Sequence, residues 1–366
     1  MTSAERIEKY TEGLKHLGSK PGLEAVTSLS DRVSDAVGAP GRLCDLTPCV
    51  QISGTNGKGS TARFLGELLQ DAGLKVGTFS SPSVFEYREM WRIGDDSIGD
   101  DELWDILSTV ESACAAMVEE EGYHPTLFEV ETVAAFLYFY KEECDIAIYE
   151  AGMGGLLDAT NIIAAPLVSV ITPVGVEHRS FLGDTIEEIA THKAGIIKPG
   201  CIAVSAPQEA SVGAVIRARA DNVSAGTVQV DITQSAAGEG TKTTPVDEAM
   251  HDVVSVEVTQ DASDEAMHTS FTYGGRRYEI DSPARYQVIN AATAIAAFGA
   301  LKEKLGAESF RELGDRPGAK PDCNPGRSPE YVFTFKAPPG RLERLGILPR
   351  GAALYIDGAH NPPAAK

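Results

Sequence analysis

The sequence predicts an α/β fold: an open, mainly parallel sheet with helices on both faces. Three observations lead to it. Short apolar runs, 145–150 (DIAIYE) and 167–172 (LVSVIT), have the unbroken hydrophobicity of strands covered on both sides. They alternate with segments of helical periodicity. A glycine-rich turn, Gly54-Thr55-Asn56-Gly57-Lys58-Gly59-Ser60, joins one such strand to one such helix, as βαβ units require.

Residues 1–47 are mostly helical in pattern, punctuated by Gly and Pro. Residues 50–53 form the first strand candidate. The helix predicted over 58–72 carries Phe64, Leu65, Leu68 and Leu69 on one face. A strand is expected at 75–80 and helices at 100–121 and 129–143, followed by the two apolar strands. A helix over 185–195 and a strand over 202–206 continue the alternation. The stretch 222–267, rich in Gly, Ser, Thr, Asp and Glu, is expected to form short peripheral strands and loops. Residues 271–280 read as a hairpin turning at Gly274-Gly275, and 287–305 as an alanine-rich helix. The Pro/Gly-rich segment 311–330 has linker composition. After it come residues 331–335, the PPGRLERLG stretch and a strand in ALYIDGAHNP.

The 366-residue length suits about two domains, and 43% hydrophobic with 23% charged residues is an ordinary globular composition. A net charge of −21 repels nucleic acid and anionic membranes. Neither is expected as a partner, and an anionic substrate must enter through a locally positive site. Cys44, Cys49, Cys114, Cys144, Cys201 and Cys323 are scattered without a C-x-x-C pair, so neither a zinc site nor a disulfide framework is expected. The N-terminus MTSAERIEKY is polar, and no apolar run approaches the ~20 residues that span a bilayer. A cytoplasmic, reducing setting is expected.

A strand, a glycine-rich loop and a helix in that order form a phosphate cradle. Backbone N–H groups converge on an anion, and the helix N-terminus adds partial positive charge. Lys58 would neutralise the outer phosphates, and either Ser60 or Thr61 would offer a hydroxyl to Mg²⁺. The spacing departs from the common G-x-x-x-x-G-K-[ST] pattern because Gly59 separates Lys58 from Ser60. Glu150 ends a buried strand and precedes Gly152, Gly154 and Gly155. It is either a metal-holding carboxylate at the ligand-binding end of the sheet or a strand-end cap. His178 follows another strand, and Lys193 lies fifteen residues later near a helix end. Each alone reads as structural; together with Glu150 and the loop they form a candidate metal and phosphate cluster.

SGTNGKGS, SSPSVFEYREM, FEVET, EAGMGGLLDATN, EHRSFLGDTIEEIATHKAGIIKPG, NAATAIAA, PGRLE and DGAHNP occur in this order. The chain thereby resembles the folylpolyglutamate synthase and dihydrofolate synthase family of the Mur ligase superfamily, from about residue 5 to residue 366. The resemblance implies a P-loop ATPase-like central domain and an ATP-dependent ligase. Such an enzyme adds L-glutamate to a folate, or to dihydropteroate, through an acyl phosphate. A folate-directed enzyme is expected rather than a cell-wall ligase, because the loop comes as early as residue 54.

By the same resemblance, Gly54, Thr55, Asn56, Gly57, Lys58, Gly59, Ser60 and Thr61 would bind ATP, with Asn290, Arg341, Asp357 and His360 also facing the nucleotide. Ser81, Glu150 and His178 would hold Mg²⁺, Lys193 would be carbamylated or face phosphate unmodified, and Arg88 would meet an anionic substrate. Lys58, Lys193 and His178 would be the catalytic set. Glu177 stands where the family commonly has Asp, and Leu156 where a polar or basic residue often follows the glycines. Residues 1–325 would form the ATP-binding domain. Residues 326–366 would form a linker and the first strand of a smaller Rossmann-like domain, incomplete here, so that activity is expected of a longer chain. A monomer acting on small molecules is expected.

Overall fold

The computed structural model describes residues 1–18, 20, 22–233, 252–259, 268–306, 310, 332–339, 341–347 and 353–357. Helices α1 (Ser3–Leu14), α2 (Glu24–Ala36) and α3 (Leu43–Leu46) precede strand β1 (Cys49–Ser53). The chain continues through α4 (Lys58–Asp71), β2 (Val76–Phe79), β3 (Trp91–Ile93), β4 (Asp96–Ser97), α5 (Asp100–Glu121), α6 (Leu127–Lys141) and β5 (Ile146–Glu150). Next come β6 (Val168–Ile171), α7 (Arg179–Leu182), α8 (Ile186–Ala194), β7 (Ile202–Ser205) and α9 (Ala210–Asn222). Strands β8 (Gly226–Thr233), β9 (Asp252–Thr259), β10 (Thr269–Tyr273) and β11 (Arg276–Ile280), helix α10 (Tyr286–Leu305) and β12 (Phe333–Phe335) complete the main body.

These strands form one twelve-stranded sheet in the order β12-β11-β10-β9-β8-β7-β6-β1-β5-β2-β3-β4. Every pairing from β2 through β5, β1, β6, β7 and β8 to β9 is parallel. Antiparallel pairings flank this block at β2–β3–β4 and at β9–β10–β11. The α/β class is as expected. Alternation along β1 explains the helices on both faces. Val50 and Ile52 join a core with Phe64, Leu65 and Leu69 of α4 and Ala291 of α10, while Cys49 joins Phe136 and Phe139 of α6 and Tyr149 of β5 on the other face. Each fully buried side chain of this size contributes about 1.5–3 kcal/mol.

One expectation needs correction, and one stretch left unassigned gains a strand. The stretch 222–267 is more regular than its composition suggests over its described residues, 222–233 and 252–259. Helix α9 precedes it, and β8 and β9 are eight-residue strands that extend the parallel block. The polar composition hid a period-two pattern in which Val228 and Val230 face the same core as α10. The PPGRLERLG stretch contributes a strand as well: β13 (Arg341–Ile347) pairs antiparallel with β14 (Ala353–Asp357) in a separate two-stranded sheet. Strand β12 pairs with β11, so the large sheet continues to residue 335. The expected hairpin over 271–280 forms, with both Gly274 and Gly275 at positive φ. The predicted linker, 311–330 with Cys323, lies outside the described residues. Among the described residues no helix is long and apolar enough to cross a membrane.

The chain winds in opposite directions from the centre of the sheet, with β1 flanked by β5 on one side and β6 on the other. Ligands of open α/β sheets bind at the carboxyl ends of strands near such a reversal. There the structure gathers the turn after β1, the end of β5 and the segment after β6.

Candidate functional site

The turn between β1 and α4 is docked on the segment that follows β6. The Thr55 and Asn56 N–H groups donate to the Pro173 carbonyl at 3.0 and 3.3 Å. The Thr55 hydroxyl donates to the Gly175 carbonyl and accepts from the Gly175 N–H, both at 3.0 Å. Gly57 caps α4 in the left-handed region, with φ at 90°. A Cβ there would be strained by that conformation and would overlap the Asn290 side chain. Lys58, Gly59 and Ser60 form the first turn of α4, whose N–H groups have no intrahelical acceptors. The Lys58 ammonium turns back to the Gly54 and Thr55 carbonyls at 3.2 and 3.4 Å.

A cavity of about 300 Å³ opens beside this turn. Gly59, Ser60, Ser81 and Glu150 line one end. Glu150 is 5% exposed, and one carboxylate oxygen lies 3.2 Å from where a Gly59 Cβ would stand. Ser81 and Glu150 thus line the same cavity as the first turn of α4. Between the two hydroxyl candidates, Ser60 lines the cavity, while Thr61 is fully buried with no hydrogen-bond partner for its Oγ1. Ser60, Ser81 and Glu150 form a sparse set of hard oxygen donors. That set suits Mg²⁺, which keeps most of its water and takes further ligands from phosphates. It would not suit a metal requiring a closed protein cage, and no cluster of three or more His, Cys, Asp or Glu side chains occurs among the described residues.

His178 is not part of that cavity lining. It is exposed at the left-handed N-cap of the one-turn helix α7. It belongs with a second group of charges behind the loop. The Lys193 side chain is fully buried; its ammonium donates to the Gly54 carbonyl at 2.8 Å and pairs with Glu177 at 2.6 Å. Burial pushes Lys193 down to about 8, against the pull of Glu177. Burial alone would raise Glu177, but Lys193, with help from Lys58 and His178, holds that carboxyl below its ordinary range. Lys193 thus faces Glu177 and a loop carbonyl. The Gly54 carbonyl is shared by both lysines.

The remaining expected residues are spread more widely. Asn290 is buried on α10 against Gly57 and donates to the Gln287 side chain at 2.8 Å. Arg88 sits on a short 3₁₀ turn, Tyr87–Met90, paired with Glu86 at 2.7 Å and away from the cavity lining. Asp357 is exposed and accepts from the Tyr286 hydroxyl at 2.7 Å. Arg341 opens β13, and His360 lies outside the described residues.

Sequence reasoning missed the ion-pair role of Glu177, which stood only as a departure beside His178. It also missed Arg63, Glu67 and Arg92, which line the far end of the cavity. Asp158, in the DATN motif, organises the glycine turn after β5: it accepts from the Met153 and Thr160 N–H groups at 2.9 and 3.0 Å. Leu156 keeps that turn against α8, its N–H donating to the His192 carbonyl at 2.7 Å.

Beneath the 83–90 loop, Glu131 is buried on α6 and accepts from the Tyr87 hydroxyl at 2.8 Å. Burial raises this carboxyl to about 7, although the Tyr87 bond opposes the shift. A raised carboxyl makes the folded state hold its proton longer than the unfolded state. Its stabilisation is therefore greatest below the ordinary carboxylate range and is lost as pH rises to about 7. Glu131→Gln should flatten the fall in melting temperature between pH 5 and 7; an unchanged slope would remove Glu131 as its source.

The Mur ligase middle domain profile matches residues 52–298. A curated relative, dihydrofolate synthase/folylpolyglutamate synthase of Bacillus subtilis, is 37% identical over 225 residues, covering 61% of this chain and 50% of the relative. Folylpolyglutamate synthase of Thermotoga maritima is 29% identical, with a TM-score of 0.68 over 98% of this chain and 72% of that one. A solved FPGS-AMPPCP-folate complex is 26% identical, with a TM-score of 0.71 over 97% of this chain and 78% of that one. The chain spans about half the length of the curated relatives it matches. With its phosphate-type loop, the carboxylate at the end of β5 and this match over most of its length, the chain belongs to the Mur ligase family through that family's middle domain.

Proposed function

We propose that this chain is the ATP-binding, carboxylate-activating part of a ligase that joins L-glutamate to tetrahydrofolate, with dihydropteroate as a further acceptor. The observation that carries this reading is the shared cavity of Gly59, Ser60, Ser81 and Glu150 at the loop end of α4. The names of the relatives and the AMPPCP and folate of the solved complex support it.

In the proposed reaction an acceptor carboxylate oxygen attacks the γ-phosphorus of ATP, and the bond to ADP breaks. The glutamate amine then attacks the acyl carbon and loses a proton, phosphate leaves, and an amide remains. The first-turn amides of α4 and Lys58 would hold the phosphates. Ser60, Ser81 and Glu150 would hold Mg²⁺, which when bound would neutralise charge on the transferring phosphoryl group. His178, near Lys58 and Glu177, would join that shell from the other side of the loop. Asn290 would steady the loop on the nucleotide side, and Arg341, Asp357 and His360 would face the nucleotide.

Lys193 is the carbamylation candidate, since an amine pushed down to about 8 offers the neutral form that adds CO₂. The Glu177 pair supports the unmodified form. Val84 and Phe85 expose apolar surface beside Arg88, suited to a flat ring system. A cytoplasmic monomer acting on small molecules is the setting this reading implies.

The test is ADP release with ATP, Mg²⁺ and glutamate, using tetrahydrofolate and dihydropteroate in separate assays. Release that depends on an acceptor is expected. Binding of AMPPCP without ADP release with either acceptor would reduce the reading to nucleotide binding.

A further inference from the structure

The end of the cavity away from Glu150 holds an arginine, Arg92, with no ion-pair partner among the described residues. Arg92 lies on β3 opposite Thr78 of β2, and both residues line the cavity. Its neighbour Trp91 points through the sheet into the core with Phe79, so strand alternation sends Arg92 to the α4 side. The Arg92 Nε is buried and has no hydrogen-bond partner. No described carboxylate forms an ion pair with the guanidinium. The acidic groups nearby are already engaged. Glu89 accepts from the Val84 and Phe85 N–H groups at 3.2 Å each. Asp95 pairs with Arg63 at 3.5 Å, and Glu67 pairs with Arg63 at 3.2 Å and accepts from the Lys336 N–H at 3.1 Å. Burial and the like charge of Arg63 disfavour the Arg92 charge, while Glu89 and Asp95 attract it without forming an ion pair.

In a chain of net charge −21, a partly desolvated arginine left unpaired is unusual, because burying a charged group without a partner is costly. A guanidinium is shaped to receive a carboxylate through two parallel hydrogen bonds. The volume of about 300 Å³ lies at the low end for small-molecule pockets, so it suits the end of a ligand rather than a whole fused-ring substrate.

We infer that Arg92 binds a second, non-reacting carboxylate of the acceptor while the first is activated at the Ser60 and Glu150 end. This inference rests on the folate-ligase reading and sharpens its substrate class. A folate carries two carboxylates on its glutamyl end, of which one reacts. A pteroate carries one, and that one must react. Arg92 therefore selects acceptors that already bear a glutamyl group.

The test is calorimetric binding of folate and of pteroate, with AMPPCP and Mg²⁺ present, to the wild-type chain and to the Arg92→Met and Arg92→Lys variants. The methionine variant should lose about 10- to 100-fold in affinity for folate, the scale of a charge-assisted contact. Its pteroate affinity should change by less than about threefold, and lysine should recover part of the loss. Equal weakening of both ligands, or no weakening of folate, overturns the assignment. If the methionine variant melts at a lower temperature, the folate-to-pteroate affinity ratio of the lysine variant decides: an unchanged ratio also overturns it. Neither ligand binding to the wild type would instead bring down the folate reading itself, and the assignment with it.

Discussion

Lys58→Ala is expected to lower acceptor-dependent ADP release by more than about 10²-fold, the scale of losing one well-placed electrostatic contact in a reacting site. The structure separates this loss from damage to the fold. Lys58 is half-buried and makes only two long hydrogen bonds, at 3.2 and 3.4 Å, both to carbonyls of its own loop. It sits at the first position of α4, where alanine is a good helix former. The loop itself is held by Thr55, by the Pro173 carbonyl and by the cap conformation of Gly57, none of which the substitution touches. The melting temperature should stay close to that of the wild type while turnover collapses. Near-normal turnover would mean that the loop does not hold the reacting phosphates.

That loop was also the most legible part of the sequence, because its function depends on contiguous residues. A strand, four turn residues and a helix can be read from period and glycine content alone, and β1, α4 and β5 fall within a residue or two of their expected bounds. The position of Glu150 was legible for a related reason: it ends a strand, and strand ends converge in a parallel sheet; Ser81 was singled out only by the family resemblance. Charges that meet through tertiary packing were not legible. Glu177, in the segment after β6, meets Lys193 in the last turn of α8, a meeting that no local spacing announces. Arg92 was hidden in a three-residue strand whose facing could be assigned only after its pairing with β2 was known. Strand β8 was obscured by composition, since alternate polar residues diluted the pattern by which Val228 and Val230 face the core.

Lys193→Met is expected to destabilise the chain by about 3–5 kcal/mol, the usual consequence of removing one partner from a buried ion pair. The Lys193 side chain is 1% exposed and that of Glu177 is 13% exposed. The variant strands the Glu177 carboxylate and takes a donor from the Gly54 carbonyl. The pair itself need not be a net source of stability. Lys193 is pushed down to about 8 by burial even with Glu177 beside it, so holding its charge in the fold has a cost. Adding Glu177→Gln to Lys193→Met should therefore recover much of the loss, because no buried charge is then left alone. Urea unfolding of the wild type, both single variants and the double variant gives the coupling directly. A single variant as stable as the wild type, or a double variant no better than Lys193→Met, would contradict this account.

The pH dependence supplies an independent sign. Between about 8 and the ordinary lysine value of 10.5, the unfolded chain holds a proton on residue 193 that the folded chain has released. Stability must then rise with pH across that window in the wild type relative to Lys193→Met. A difference that falls with pH would mean that Glu177 outweighs burial and that the folded state holds the ammonium more firmly than water does. The amine would then have no neutral form available near neutrality, and the carbamylation proposed for Lys193 would lose its chemical basis.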